Sequence, residues 1–207
     1  MKLFHTQGSP YARMARMAVI ETGLEGRVTP VETTLRDPAS TLLPMSPAGR
    51  VPALVLDNGT VLTETALILA YLGTLVPART PLLLPLGGSD GWRGMAAFGR
   101  VVGMIDGIAV WNRELRRPEH ERSPGVIALE TTRANRLADA LERDVAAGGY
   151  GGGVDAGWIA LACTLGYCER RHRVWAWREG RPALASWLDA AATRPSFAAT
   201  LPPVSGI

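Results

Sequence analysis

The sequence changes its pattern near residue 76, and this change most constrains how the chain can fold. Before it, short segments typical of strands alternate with helical segments, in the order β-α-β and then β-β-α. After it, no strand pattern occurs, and apolar residues recur at three- and four-residue steps, which predicts helices. The stretch between, from Val76 to Gly91, is rich in Pro, Gly and Leu and is typical of a linker.

An α/β domain is therefore expected to precede an all-helical one. We predict the α/β domain over residues 1–77, the linker over 78–91 and the helical domain over 92–207. The predicted strands cover residues 2–6, 28–33, 51–56 and 61–62. The predicted helices cover residues 11–21, 65–75, 92–117, 126–147, 155–171 and 182–193.

The composition is that of a globular protein and narrows the classes of function. Of the 207 residues, 47% are hydrophobic and 20% are charged, which excludes extended disorder. The net charge of +3 is spread along the chain, so we expect no nucleic-acid partner. The N-terminus shows no secretion signal, and no uninterrupted apolar run approaches the roughly 18 residues of a membrane span. We therefore expect a cytoplasmic protein with no membrane partner.

The two cysteines predict neither a disulfide nor a metal site. Cys163 and Cys168 are five residues apart in a predicted helix, where they lie on different faces. Cys168 and His172 do share a face, but two ligands alone make a poor metal site. We therefore expect reduced cysteines and no bound metal.

Ser9-Pro10-Tyr11-Ala12 follows the first predicted strand and opens the first predicted helix. The backbone N–H groups and the dipole at a helix N-terminus favour an anion. Ser9 is also a good N-cap, and capping alone would explain a serine here. The segment by itself leaves both roles open.

Two further segments lie where predicted elements begin. In Gly49-Arg50-Val51-Pro52-Ala53 a proline starts a strand, where its missing N–H is tolerated and where the preceding bond is sometimes cis. Thr63-Glu64-Thr65-Ala66 starts the second predicted helix. There the N–H groups, a hydroxyl and a carboxylate can hold both charges of an amino-acid head group. An acidic first turn is also common for the helix dipole alone.

In this order, the three segments resemble the glutathione transferase superfamily, and the resemblance extends over nearly the whole chain. Ser9-Pro10-Tyr11-Ala12 lies where redox-active relatives have Cys-Pro-Tyr-Cys, and Glu64-Thr65 where the family has Glu-Ser. Residues 46–52, Ser-Pro-Ala-Gly-Arg-Val-Pro, match the family's Asn-Pro-Leu-Gly-Lys-Val-Pro. Further matches typical of bacterial members lie at residues 165–167, 177–182 and 194–197. The resemblance implies a thioredoxin-like N-terminal domain followed by an all-α C-terminal bundle.

The resemblance also implies that glutathione is the co-substrate and lies along the thioredoxin-like domain. Val51 would pair through its backbone with the cysteinyl unit, next to a cis Pro52. Glu64 and Thr65 would hold the γ-glutamyl end. Arg50 would reach the glycyl carboxylate, a position where lysine is more usual.

The implied chemistry needs the thiolate of glutathione, and a free thiol has a pKa of about 8.5. Lowering that pKa by two units takes about 2.7 kcal/mol. A helix dipole supplies roughly 0.3–1 kcal/mol, and a hydrogen bond to a charged group roughly 1.5–3 kcal/mol. We predict that the Ser9 hydroxyl supplies this bond, with Thr6 and Tyr11 as alternatives. Because Ser9 and Ala12 replace both redox cysteines, disulfide exchange is disfavoured.

The electrophile is expected to be small and hydrophobic and to lie between the domains. Met104, Ile108 and Trp111 recur on one face of a predicted helix and are predicted, with Tyr11, to line its pocket, although the same spacing suits core packing. Two alternatives stay open: a glutathione-binding or chaperone-like member without turnover, and a glutathione-dependent isomerase. The resemblance also implies a homodimer, while a physiological role such as detoxification stays open.

Two features of the second half stand apart from this pattern. Most members begin the helix after the glycine run with Ser/Thr-x-x-Asp, whereas this chain has Asp155-Ala156-Gly157-Trp158. Asp155 can still cap, but the acidic partner is lost, so we expect a weakened helix start without a direct effect on catalysis. Residues 169–173, Glu-Arg-Arg-His-Arg, form a charged helix end that suits the dipole better than it suits nucleic acid.

Overall fold

A four-stranded mixed sheet forms the first part of the chain. The computed structural model describes residues 1–35, 37–76 and 88–205. The sheet has the order β2-β1-β3-β4, with β1 parallel to β2 and antiparallel to β3, and β3 antiparallel to β4. Its elements in chain order are β1 (Lys2–His5), α1 (Pro10–Glu21), β2 (Thr29–Glu32), β3 (Ala53–Val55), β4 (Val61–Thr63) and α2 (Thr65–Thr74).

The described residues after the sheet form helices, so the predicted fold class is confirmed. The predicted linker falls largely on residues 77–87, which lie outside the described residues. The sequence missed α7 and a short 3-10 helix at Glu119–Glu121, because such short segments carry no clear periodicity. The helices are α3 (Gly88–Leu115), α4 (Pro124–Ala146), α5 (Ala156–Arg171), α6 (Pro182–Ala191) and α7 (Pro195–Ala199).

Local chemistry fixes both ends of α1. The N–H of Ala12 donates to the Ser9 side chain at 3.1 Å, and Pro10 occupies the first turn, where its missing N–H costs no hydrogen bond. Gly23 follows the helix with a φ of +67°, a left-handed conformation that glycine adopts without steric cost. The helix therefore begins beside the end of β1, and its first turn is fixed in place.

The start of α5 shows what stands in place of the acidic partner that the sequence lacks. Asp155 caps the helix as predicted, accepting the Trp158 N–H at 2.8 Å. Trp158 is buried, its ring lies 5.3 Å from that of Trp187, and the Arg194 guanidinium lies 5.5 Å above it. The indole therefore packs into the core at the position where most members have the acidic partner. The weakened helix start stays a prediction, which the Tm of Trp158→Asp tests.

Two polar ties hold α1 against the helical part of the chain. Arg13 is buried and donates from Nη2 to the carbonyl of Phe197 at 3.1 Å and from Nε to Thr200 at 3.2 Å. At the other end of α1, Glu21 accepts from Arg194 at 2.6 and 2.9 Å and also from the Ser196 hydroxyl. These bonds fix α1 against the segment around α7.

Helix α3 is long and apolar enough to raise the question of a membrane span. Among the described residues, Gly91–Leu115 is the one segment long and apolar enough to cross a bilayer, with a mean hydropathy of 1.3. Core helices of folded proteins meet the same criteria, and α3 packs against both α4 and α5. The hydropathy of this helix is therefore weak support for a membrane span.

Candidate functional site

A cleft of about 600 Å³ opens between the sheet and α3. Its lower wall consists of three places where elements begin: the N-terminus of α1, the residues before β3 and the N-terminus of α2. The cleft brings together every binding or catalytic residue that the sequence predicted in the α/β part. These are Ser9, Tyr11, Arg50, Val51, Pro52, Glu64 and Thr65, with the alternative Thr6.

Ser9 caps α1 and still has a proton to offer the cleft. Its Oγ accepts the N–H of Ala12, which uses one of the two lone pairs of the hydroxyl. The hydroxyl proton is not used by this bond. Capping and donation to a ligand, which the sequence presented as alternatives, are therefore compatible in one side chain.

Tyr11 is placed differently, because its hydroxyl donates to Asp106 on α3. Burial raises the pKa of Tyr11 well above its ordinary value, and the Asp106 carboxylate raises it further. The phenol therefore stays protonated, and its one proton is already in use. Thr6, the other alternative, is half-buried at the cleft, and its carbonyl accepts the N–H of Ser9 at 3.3 Å.

The segment before β3 lines the middle of the cleft. The Val51–Pro52 peptide bond is cis. Strand β3 begins at Ala53, so the N–H and C=O of Val51 lie outside the ladder of the sheet. Arg50 is exposed at the cleft, and Ser46 is buried there with no hydrogen-bond partner for its hydroxyl among the described residues. This segment offers backbone groups, a cation and an unused hydroxyl to a ligand.

Glu64 has an unusual backbone at the third contact point. Its φ is +67°, a region that residues other than glycine rarely occupy. It precedes α2 without a side-chain capping bond, and its carboxylate is exposed at the cleft. Conformations of this kind are concentrated at ligand-binding sites, where the surrounding structure maintains them. The buried Thr65 follows as the first residue of α2.

The other wall of the cleft does not contain the three α3 residues that the sequence predicted for it. Met104, Ile108 and Trp111 are buried in the core, with 1%, 0% and 6% of their surfaces exposed, and they do not line the cleft. Core packing, the alternative considered for this spacing, is their role because α3 turns that face toward α4 and α5. The cleft meets a neighbouring face of α3: Phe98, Val102, Asp106, Ala109, Val110 and Arg113.

Sequence reasoning missed Asp106 and Arg113 on this face. Both are charged residues within a mainly apolar helix, and both are exposed at the cleft. A charged residue that interrupts an apolar run was the signal that could have identified them. Periodicity alone does not say whether such a residue faces bulk solvent or a ligand-binding site.

Neither cysteine reaches the cleft. Cys163 and Cys168 are free and fully buried on α5. Burial raises the pKa of Cys163 to about 12. The site therefore offers hydroxyls, backbone groups and charges to a ligand, without a thiol of its own.

Comparisons with known proteins agree with this geometry. The family model "Glutathione S-transferase, N-terminal domain" matches residues 8–75, and "Glutathione S-transferase, C-terminal domain" matches residues 124–190. The GST-like protein YibF of Escherichia coli K12, itself described as uncharacterized, is 27% identical over 204 residues, covering 98% of this chain and 99% of the relative.

Solved structures extend the likeness to the whole chain. A glutathione transferase family member from Pseudomonas fluorescens Pf-5 with bound glutathione is 33% identical, with a TM-score of 0.89 over 98% of this chain and 99% of that chain. A glutathione S-transferase from Methylobacillus flagellatus KT with glutathione bound is 27% identical, with a TM-score of 0.88 over 97% and 98% of the two chains.

Proposed function

The chain belongs to the glutathione S-transferase family, and from this premise we propose that it activates the thiolate of glutathione for attack on a small electrophile. The observation that carries the proposal is the Ser9 hydroxyl, which lines the cleft at the start of α1 with its proton unused by the cap. A hydroxyl that donates to sulfur stabilises the thiolate over the thiol and so lowers the pKa of the thiol.

The remaining lower-wall groups suit the other parts of glutathione. We assign the backbone of Val51 to the cysteinyl unit, as an added strand beside β3. Glu64 and Thr65 are assigned to the ammonium and carboxylate of the γ-glutamyl end, and Arg50 to the glycyl carboxylate. Two similar structures contain glutathione, which supports glutathione as the ligand of this cleft.

The electrophile would lie against α3. Phe98, Val102 and Val110 give this wall an apolar surface that suits a small hydrophobic body. In the reaction the sulfur forms a bond to an electrophilic carbon, and a leaving group departs with the bonding electron pair. Tyr11 is assigned a positioning role at this wall, because its bond to Asp106 joins the two sides of the cleft.

The domain bounds, the localisation and the oligomeric state are proposed from membership of the same family. We place the domains at residues 1–77 and 92–207, joined by residues 78–91, in a cytoplasmic protein. We also propose a homodimer, because Leu67, Trp92 and Leu129 are 60%, 64% and 54% exposed and supply apolar surface for a partner copy. Sedimentation at the mass of a single chain would contradict the dimer.

The decisive test compares the three hydroxyls that the sequence offered as donors to the thiolate: Ser9, Thr6 and Tyr11. Thiolate absorbance of bound glutathione is followed against pH in the wild type and in Ser9→Ala, Thr6→Val and Tyr11→Phe. We expect a pKa well below about 8.5 in the wild type. In Ser9→Ala we expect it to rise by one to two units, because a bond of roughly 1.5–3 kcal/mol to the thiolate is lost.

The two other variants act as matched controls. Tyr11→Phe should leave the thiol pKa within about 0.3 units, since the tyrosine proton is used by Asp106. A rise confined to Thr6→Val would transfer the role from Ser9 to Thr6. Bound glutathione with an unshifted thiol in the wild type would indicate a glutathione-binding protein without transferase activity.

A further inference from the structure

A second hollow, of about 560 Å³, adjoins the cleft, and Tyr11 lines both. The loop from β1 to α1 forms one side, including Ser9 itself, and the C-terminal half of α3 forms the opposite side. Both hollows share Ser9, Tyr11 and Arg113. A molecule that reacts at a sulfur held by Ser9 can therefore extend into this second hollow.

Three arginines line the second hollow: Arg113 in the last turn of α3, Arg116 directly after α3 and Arg171 at the end of α5. Burial raises the pKa of the Tyr167 hydroxyl, and the guanidinium groups of Arg116 and Arg171 oppose that rise, so both cations lie near this hydroxyl. An added Cβ at Gly8 would lie 3.0 Å from the guanidinium carbon of Arg171. The positive charge therefore reaches the residue directly before Ser9.

Among the residues that the structure describes, these three arginines form no ion pair with a carboxylate, unlike six others in the helical part. Within the described residues, none of the ion pairs includes Arg113, Arg116 or Arg171. Arg171 donates to a neutral carbonyl, that of Pro203, at 3.3 Å, and its guanidinium also hydrogen-bonds the Tyr167 side chain. Six arginines in the same part of the chain do form ion pairs: Arg100, Arg117, Arg133, Arg178, Arg181 and Arg194.

The acidic groups near the hollow do not cancel this charge. Glu32 is the one carboxylate among the lining residues, and it accepts from the Gln7 side chain at 3.0 Å on the sheet side. Asp106 lines the neighbouring cleft, where it accepts from Tyr11. Three guanidinium groups thus face one carboxylate across a hollow that opens next to Ser9.

We infer that the electrophile carries a carboxylate, which Arg113 and Arg116 bind in the second hollow while the electrophilic carbon lies at Ser9. The inference rests on the proposed transferase function and names its substrate class: small organic acids with an apolar body. Guanidinium groups pair with carboxylates through charge-assisted hydrogen bonds. For a chloromethyl acid, the sulfur forms the new bond to carbon while the carbon–chlorine bond breaks and chloride leaves with the electron pair.

The test uses an acid and its neutral isostere. Binding of S-(4-carboxybenzyl)glutathione and S-(4-carbamoylbenzyl)glutathione is measured by calorimetry. Turnover of 4-(chloromethyl)benzoate and 4-(chloromethyl)benzamide is measured as kcat/KM above the uncatalysed rate. We expect the acid to be preferred about 3- to 20-fold in both assays, the range given by two partly exposed ion pairs. The preference should fall as salt is added.

Variants then assign the preference to particular arginines. Arg113→Gln and Arg116→Gln should each lower the acid-to-amide ratio about two- to fourfold, and the double variant should bring it close to one. Arg117→Gln is the matched control: it removes the same charge next to Arg116, but its ion pairs are with Glu114 and Glu121 and it does not line the hollow. The control should keep the wild-type ratio.

Failure of the inference differs from failure of the proposed function. If both conjugates bind and both substrates react with a ratio near one in the wild type, the inference is wrong and the transferase function stands. A ratio that survives in the double variant also overturns the assignment. If neither conjugate binds, the glutathione site is wrong, and the inference built on it fails as well.

Discussion

The two walls of the cleft are built from different parts of secondary structure. The lower wall consists of element starts: Ser9 before α1, Val51 before β3 and Glu64 before α2. The upper wall consists of side chains from the middle of α3, such as Val102 and Val110. Caps, prolines and turns fix an element start locally, whereas the rotation of a whole helix fixes which mid-helix side chains face a cleft.

Because of this difference, substitutions in the two walls are expected to affect ligand binding and protein stability to different extents. A change at an element start in the lower wall alters groups that face the ligand, and it removes little packing. A change in α3 has either effect, depending on which face the residue occupies. We therefore expect substitutions of neighbouring residues to have unlike effects on ligand binding and on stability.

The largest difference is expected between two faces of α3. Met104→Ala should lower the free energy of unfolding by about 2–5 kcal/mol, because it opens a cavity in the core. Val110→Ala, at a half-buried cleft position, should cost less than about 1 kcal/mol. Urea denaturation measures both. Similar losses in the two variants would show that Val110 also belongs to the core and would remove the distinction between the faces.

A change at Glu64 should separate affinity from stability within the lower wall. Glu64→Gly should weaken glutathione binding about 10- to 100-fold, since a hydrogen bond to a charged group is lost. The same variant should raise the free energy of unfolding by about 1 kcal/mol, because glycine accepts the positive φ without strain. Calorimetry and thermal unfolding measure the two effects.

Glu64→Gln serves as the control for this variant. It keeps the side-chain size and the backbone conformation while removing the charge, so it should lose affinity without gaining stability. Unchanged affinity in both variants would contradict the role of Glu64 in the lower wall.

The smallest effect is expected far from both walls, at the tie between α1 and α7. Arg194 and Ser196 donate to Glu21, and the bond from Arg194 is the main cause that holds the pKa of this carboxylate below its ordinary value of 4.5. Glu21→Gln should lower the free energy of unfolding at pH 7 by about 1 kcal/mol, which corresponds to a loss of about 2–4 °C in Tm.

The pH dependence follows from the sign of that shift. A carboxylate with a lowered folded pKa stabilises the protein above its unfolded pKa, and this contribution is lost as pH falls through the folded value. The difference in Tm between wild type and Glu21→Gln should therefore shrink below about pH 4.5. Asp144→Asn, which breaks the more exposed pair with Arg100, is the control and should have a smaller effect at pH 7. A pH-independent difference would contradict the role of the ion pair.

The starts and types of secondary-structure elements that depend on residues close together in the chain could be predicted from the sequence. Ser9 with Pro10 marked the start of α1, and the loss of strand patterns marked the helical part. Each of these depends on residues within a few positions of each other, where backbone conformation and capping dominate the free energy. The lower wall of the cleft is composed of such features, but its residues were assigned to a ligand only through the resemblance to the glutathione transferase superfamily.

Only the tertiary structure decided which side chains of α3 face the cleft and which residues far apart in sequence are in contact. Met104 and Val110 lie in the same helix, and only the packing of α3 against α4 and α5 determines that one is buried and the other meets the cleft. The bond from Tyr11 to Asp106 and the approach of Arg171 to Gly8 join residues far apart in sequence. Sequence periodicity fixes the angles between side chains on one helix, but the rotation of that helix depends on every surface it packs against.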